Sequence, residues 1–319
     1  MVIVFGSLNI DLVARVAALP QAGETVLGSD YVAVPGGKGA NQALAARRAG
    51  AEVVMVGAVG RDAFADAALA ALAADGVDVS RVARADAPTG AAFIAVDEAG
   101  RNQIVVAPGA NALASARALE GLDPAHGILM LQWEVPEPEI LAAARWGRAK
   151  NLTVMLNRAP AGPVPRELLE LIDVLILNEH EAMALVEGDG VDYSRGGFDK
   201  IDLDGVASGL SAAFGLAVAV TLGAEGSILW ADGICHSAPA LPINVVDTTA
   251  AGDAFCGAFA AARARKRGFE TCVDFATAAG SLACTGFGAQ PSLPTREAIE
   301  PAALGLAEKR NPANRRTYP

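Results

Sequence analysis

In the last third of the chain, Val245-Val246-Asp247-Thr248-Thr249-Ala250-Ala251-Gly252-Asp253-Ala254-Phe255 runs from a strand-like stretch into a helix. Small residues ahead of a helix expose its first backbone N–H groups, which have no intrahelical partners and attract anions. Asp253 sets a carboxylate beside that anion site. The helix macrodipole alone favours a first-turn Asp. A carboxylate next to a bound anion repels it, however, so removal of a proton explains Asp253 better. A second stretch, Pro35-Gly36-Gly37-Lys38-Gly39-Ala40-Asn41-Gln42-Ala43, is a glycine-dense turn entering an Ala-rich helix. Its glycines admit close approach of backbone to a ligand, and Lys38 and Asn41 offer donors at the mouth. A plain tight turn with Asn41 near the helix start is the competing reading.

Other signatures fail. Gly37-Lys38 is followed by Gly39 and position 32 is Val, so there is no P-loop. The first apolar run leads into Gly6-Ser7-Leu8-Asn9, not a dinucleotide fingerprint, and no nucleophile elbow occurs. Cys235, Cys256, Cys272 and Cys284 form no C-x-x-C pair and read as free thiols, and three histidines argue against a His-rich zinc site.

In chain order, the strings Gly6-Ser7-Leu8-Asn9-Ile10-Asp11, Pro20 with Gly23-Glu24-Thr25, Gly36-Gly37-Lys38-Gly39-Ala40-Asn41-Gln42, Asn178-Glu179-His180-Glu181, Thr221-Leu222-Gly223-Ala224-Glu225-Gly226, Asp247–Asp253 and Gly288-Ala289-Gln290-Pro291-Ser292 resemble the PfkB-type, or ribokinase-like, carbohydrate kinases. The Ala-Ala-Gly-Asp box is common to that superfamily. The Gly-Gly-Lys-Gly-Ala-Asn-Gln string is more selective and points to members acting on ribose over fructokinase-type or adenosine-kinase-type ones. The resemblance implies ATP-dependent phosphorylation of a primary sugar hydroxyl, D-ribose to D-ribose 5-phosphate foremost. Another sugar or a nucleoside (fructose, deoxyribose, an adenosine-like acceptor) is the alternative within the class, and a non-catalytic sugar or nucleotide sensor the alternative outside it.

Residue roles follow from the resemblance. Asp253 would take the hydroxyl proton, and backbone N–H groups of Ala250, Ala251 and Gly252 would hold the transferring phosphoryl group. Asn9, Asp11, Gly37, Lys38, Asn41 and Glu134 would bind the sugar. Asn178 and Glu181 would lie near the triphosphate and organise Mg2+ largely through water. Thr221, Gly223 and Gly226 would line the nucleotide site, and Thr277 stands where a larger planar side chain commonly packs on adenine. A K+ site would draw on Asp247, the carbonyl of Thr249 and the 284–292 loop, with Cys284, Gly288 and Ser292 as donors. In Asn157-Arg158-Ala159-Pro160, Arg158 replaces the usual Pro and would add a charge close to the cleft.

Positioning these groups requires alternating short apolar runs and Ala-rich stretches. Val2–Phe5, Val53–Val56, Ile128–Gln132, Thr153–Asn157, Val174–Leu177 and Val218–Leu222 read as buried parallel strands. Asn41–Ala49, Ala63–Ala74, Pro138–Lys150, Glu167–Leu171 and Val206–Phe214 read as helices between them. The pattern predicts an α/β protein, a Rossmann-like three-layer core with a mostly parallel central sheet. Two segments contain strands only: Leu12–Val16 with Glu24–Val34, and the hairpin Ala91–Val96/Asn102–Ala107. They suggest a small β-sheet lid over residues 12–34 and 89–107, with the core formed by 1–11, 35–88 and 108–319. A sheet so small needs a partner surface, and a homodimer joined through the lid is the expectation. The 188–200 loop, with Tyr193 and Phe198, has no assigned role.

The composition fits. At 319 residues the chain suits one large core with a minor appendage. Lys+Arg 25 against Asp+Glu 36 leaves a net charge of −11, which argues against nucleic-acid or anionic-membrane partners. A mean hydropathy of +0.34 invites a membrane reading, but the uncharged stretches 205–224 and 275–295 are broken by Gly, Gln and Pro. With no basic run ahead of Val2–Phe5, the cytoplasm is the expected compartment.

Overall fold

The computed structural model describes residues 1–188 and 202–309, so the 189–200 part of the unassigned loop, with Tyr193 and Phe198, lies outside the described residues. In chain order the elements are β1 (Val2–Phe5), β2 (Asn9–Val16), β3 (Gly28–Gly36), α1 (Lys38–Arg48), β4 (Val53–Val59), α2 (Ala63–Ala74), β5 (Asp78–Arg84), β6 (Gly90–Val96), β7 (Asn102–Ala107), β8 (Ile128–Leu131), α3 (Glu137–Ala149), β9 (Thr153–Asn157), α4 (Arg166–Leu169), β10 (Val174–Asn178), α5 (Glu179–Gly188), α6 (Leu203–Phe214), β11 (Ala217–Thr221), β12 (Ser227–Ala231), β13 (Ile234–Ala238), α7 (Ala251–Ala264), α8 (Phe269–Ala283), α9 (Ala289–Ser292) and α10 (Arg296–Lys309).

Nine strands form one sheet in the order β13-β12-β11-β10-β9-β8-β1-β4-β5. All pairings from β11 to β5 are parallel, and the β12–β13 hairpin adds an antiparallel edge. The two-residue side-chain period divides each apolar strand between two cores. Val2 and Val4 of β1 face a core built with α1, α7, α8 and α10, whereas Ile3 and Phe5 face one built with α3, α4, α5 and α6. Both faces of the sheet are therefore covered, which explains why its strands read as continuous apolar runs. The α/β three-layer expectation holds.

The strand-only segments pair into a second sheet of order β3-β2-β6-β7. At the β6–β7 turn, Asp97 Oδ1 accepts the N–H groups of Ala99 and Arg101 at 3.0 and 2.9 Å, closing the hairpin. The small sheet reaches further into the core than the sequence suggests. Asn9–Asp11 and Pro35–Gly36 are paired within it, Asn9 opposite Gly36 and Gly90, because β2 continues straight out of the core without a turn. Tyr31, Val32, Phe93, Ile104 and Val105 on this sheet, and Leu27 just ahead of β3, are exposed. Among the described residues, no helix is long and apolar enough to cross a membrane.

Candidate active site

Helices α1 and α7, two hundred residues apart, meet because Gly257 has no side chain. A Cβ there would lie 2.5 Å from the Ala45 Cβ and 2.7 Å from the Gln42 carbonyl oxygen. One turn earlier on the same face of α7, Asp253 falls beside the first turns of α1. Its Oδ2 accepts from Asn41 Nδ2 at 3.0 Å, and its Oδ1 from Gln42 Nε2 at 2.9 Å. Asp253 is 8% exposed. Burial pushes its carboxyl above the ordinary range, and Lys38, Gln42 and Asn41 pull it back.

Helix α7 starts from Ala250, a non-glycine residue held in the left-handed conformation at φ 60, ψ 13. The Ala251 N–H reaches the Thr248 carbonyl at 3.2 Å, while no described residue accepts from the N–H of Ala250 or Gly252. Two of the three expected donors are thus open to an anion and the third is shared. Around them lies a cleft of about 180 Å³ lined by Lys38, Asn178, Glu181, Thr221 and the 250–253 turn.

On the α1 side the sugar residues expected from the sequence come together. Glu134 Oε2 accepts from Ser7 Oγ at 2.5 Å and from the Lys38 N–H at 3.0 Å, so it caps α1. That cap is why α1 starts at Lys38 rather than at Asn41. Asn9 is 3% exposed, its Oδ1 accepting from Asn111 Nδ2 at 2.7 Å; Asn111 also brackets Leu8 through both backbone groups. Asp11 sits over Gly36, where a Cβ would overlap its carboxylate. Burial, followed by Glu134 and Asp253, pushes Asp11 up to about 6 against the pull of Lys38. Burial opposes the charge on Lys38, but Asp253, Glu134 and Glu181 carry its ammonium above the ordinary value.

Asn178 and Glu181 form a reciprocal cap at the start of α5. The Asn178 N–H donates to Glu181 Oε2 and the Glu181 N–H to Asn178 Oδ1, both at 2.8 Å. The pair thus fixes the start of α5 and leaves one Glu181 oxygen for the cleft. Burial raises the Glu181 carboxyl.

Across α7, a second cavity of about 410 Å³ shares Thr221, Thr248, Ala251 and Gly252 with the cleft. Gly223, Gly226, Leu241, Ile243, Phe255 and Thr277 are among its walls. Thr277 is 4% exposed, and its hydroxyl is paired with Ser227 Oγ at 2.6 Å. The lining is mostly apolar, as a nucleobase pocket requires.

The 245–249 and 284–292 loops are tied by Asp247. Its Oδ1 accepts from Thr249 N–H and Oγ1 at 2.9 and 2.6 Å, and its Oδ2 from the Gly288 N–H at 2.9 Å. The Cys284 carbonyl already accepts from the N–H groups of Val246 and Asp247, which occupies both lone pairs. Ser292 Oγ donates to the Ala289 carbonyl at 2.9 Å. Arg158 adds a charge close to the cleft, as expected, near enough to pull on Glu181, but it lines neither cavity: its guanidinium lies 4.1 Å over the Trp133 ring and donates to the Pro160 and Pro163 carbonyls. Local carbonyls and an aromatic face satisfy the cation where it stands. Gln42, Asn111, Gln132 and Asn157 complete the site's hydrogen bonding and went unnoticed in the sequence. Of these, Gln42 lies in the glycine-rich string and Asn157 heads the Asn157-Arg158-Ala159-Pro160 string; Asn111 and Gln132 carry no local signal.

A buried carboxylate at an open helix N-terminus, between a polar cleft and an apolar cavity, defines a class: small-molecule kinases that pass a phosphoryl group from a nucleotide to a polar acceptor. A family model described as pfkB family carbohydrate kinase matches residues 1–296, and the chain belongs to that family. It is 37% identical to ribokinase of Bacillus subtilis over 301 residues, covering 93% of this chain and 97% of that protein. Among solved structures, ribokinase of Thermotoga maritima superposes with a TM-score of 0.83 at 34% identity, covering 95% of this chain and 98% of that one. Arabidopsis thaliana ribokinase complexed with ribose and ATP superposes with a TM-score of 0.81 at 30% identity, with the same coverage.

Proposed function

We propose that the chain transfers the γ-phosphoryl group of ATP to the primary hydroxyl of D-ribose, giving D-ribose 5-phosphate. The observation that carries this reading is the buried Asp253 carboxylate between the α1 donors and the open N-terminus of α7. Asp253 accepts the hydroxyl proton as the oxygen attacks phosphorus, a role worth about 10²–10⁴-fold. Backbone N–H groups of Ala250 and Gly252 meet the charge that develops on the phosphoryl oxygens. Asn9, Asp11, Lys38, Asn41 and Glu134 orient the sugar, Asn41 through its Oδ1, which is buried without a partner. Thr221, Gly223, Gly226 and Thr277 surround the base and ribose of the nucleotide.

No group of three His, Cys, Asp or Glu side chains among the described residues is placed to hold a metal. The single free Glu181 oxygen suits an ion carried mainly by phosphate oxygens and water, touched by Glu181 and Asn178 through the solvent shell. Mg2+ held near Asn178 and Glu181 would supply positive charge to offset the negative charge of the phosphate oxygens. For K+, the all-oxygen set of the Asp247 carboxylate and the Thr249 and Gly288 carbonyls fits a hard cation; the Cys284 carbonyl serves instead to join the two loops.

The division into a core and a lid over 12–34 and 89–107 is part of the same reading, with a second copy of the chain covering the exposed Tyr31, Phe93, Ile104 and Val105. Light scattering tests it, and a monomer at working concentration would count against the clasp. For the activity, ADP release is measured over ribose, 2-deoxyribose, fructose and adenosine, with and without K+. Turnover on ribose far above the others is expected, and a strong preference for a nucleoside overturns the substrate.

A further inference from the structure

We propose that Gln42 is a positioning residue for the base, locked by Gln132 and Asn157 in the one orientation that keeps its Nε2 on the Asp253 carboxylate. The proposal rests on the kinase reading above, in which Asp253 removes the proton. Gln42 and Gln132 are both 0% exposed. Gln42 Nε2 donates to Asp253 Oδ1 and to Asn157 Oδ1, each at 2.9 Å. Its Oε1 accepts from Gln132 Nε2 at 2.8 Å. Asn157 is fixed in turn by its own Nδ2, which donates to the Ile176 carbonyl at 3.1 Å and leaves Oδ1 facing Gln42.

A side-chain amide has two nearly isosteric faces, and its orientation is set by what surrounds it. Turning Gln42 over would place Oε1 against the oxygens of Asp253 and Asn157, and its NH₂ against that of Gln132. The two contacts made by Nε2 would become repulsive, and the one to Gln132 would survive only if that amide, whose Oε1 has no partner, turned as well. The anchor depends on Gly6, since a Cβ there would overlap Gln132 Oε1. Asn41, the other donor to Asp253, has no such lock, because its Oδ1 is unpartnered. Asn41 can therefore turn toward a sugar hydroxyl while Gln42 stays on the carboxylate.

A wholly buried carboxylate stays ionised only where donors favour its charged form. Removing a charge-assisted hydrogen bond from such a group displaces its titration by about one to two pH units. The test uses Gln42→Leu and Gln132→Met in the full chain. The Asp253 carboxyl is titrated by ¹³C NMR without substrate, its signal assigned by its loss in Asp253→Asn. Alongside it, kcat and the ribose KM are followed across pH.

In Gln42→Leu the carboxyl titration moves upward by about one to two pH units. The acid limb of kcat moves with it and the ribose KM hardly changes. Gln132→Met removes one of the three hydrogen bonds that orient Gln42, and produces a smaller shift in the same direction. An unmoved carboxyl titration in folded Gln42→Leu overturns the proposal, as does a loss confined to KM. Should Gln42→Leu fail to fold, Gln132→Met decides by the same two outcomes. The carboxyl readout needs no turnover, so it judges Gln42 separately from the sugar panel that judges the kinase reading.

Discussion

Asp11→Asn separates stability from binding, and its magnitude follows from the surroundings of one carboxyl. Asp11 lies on β2 where burial, Glu134 and Asp253 together lift it from 3.8 to about 6. A carboxyl that titrates higher in the folded chain than in the unfolded one contributes stability below the unfolded value and loses it as pH rises through the folded one. At pH 7 the ionised Asp11 therefore costs the ligand-free protein about 2 kcal/mol relative to pH 4. Asn at this position is neutral at every pH, so the variant gains up to that amount at pH 7.5 and nothing near pH 4. For a domain of this size that is on the order of 3–5 °C in Tm. The same ionised carboxylate is the better acceptor for sugar hydroxyls, so ribose affinity of the unmodified chain falls about tenfold per pH unit below 6, and Asp11→Asn flattens that dependence while binding weakly throughout. Thermal melts and calorimetry at pH 4.5 and 7.5 measure both effects. Equal Tm gains at the two pH values, or an affinity that stays flat down to pH 5, would refute the account of Asp11.

Asp253→Asn should lower kcat by about 10²–10⁴-fold without lowering Tm: Gln42 keeps its acceptor, and Asn41, whose Oδ1 is free to turn, meets the new NH₂. Near-normal turnover would remove Asp253 as the base, and a large fall in Tm would contradict the rearrangement of Asn41. In the apolar cavity beside α7, the Thr277 hydroxyl is taken by Ser227, and Ser281 Oγ accepts from the Leu241 N–H at 3.1 Å. Little remains among these side chains to read a base edge, so kcat/KM for GTP and ITP should lie within about 10²-fold of ATP, the range an apolar pocket discriminates. A preference for ATP over ITP above about 10⁴-fold would reveal a polar reader of the base.

The core was legible because its physics is local. Val2–Phe5 or Thr153–Asn157 cannot be anything but buried on both faces, and the small residues of 250–252 expose a helix start whatever lies around them. Asp232-Gly233 is a local signal of the same kind: both residues have positive φ, at 53 and 73, and they close the β12–β13 hairpin. β5 was hidden. As an edge strand with a half-exposed, charged pattern from Asp78 to Arg84, it lacks the apolar run that marks its neighbours. The site residues that escaped notice depend on long-range partners. Asn111 meets Leu8 and Asn9 across about a hundred residues, and Gln132 reaches Gln42 across ninety. Nothing beside them in sequence distinguishes these amides from surface residues. The start of α1 is of the same kind, since its cap comes from Glu134, 96 positions away.

The charge of the site follows the charge of the chain, and this bears on how a triphosphate can bind at all. Asp11, Glu134, Glu181 and Asp253 surround the single ammonium of Lys38, whose charge they secure. Arg158, the other cation nearby, is spent on Trp133 and two carbonyls. A nucleotide therefore approaches a net negative cleft on a protein of net charge −11, the reverse of an electrostatically steered anion site. Attraction has to come at short range, from N–H groups at the start of α7 and from cations that travel with the phosphates. The arrangement suits the chemistry. A field that repels phosphate until Lys38 and the helix terminus are engaged is also one that raises the proton affinity of the base. Lys38 and the two amides at Asp253 lower it again, so the proton affinity of the Asp253 carboxyl is set by its burial and these close neighbours rather than by the surface charge.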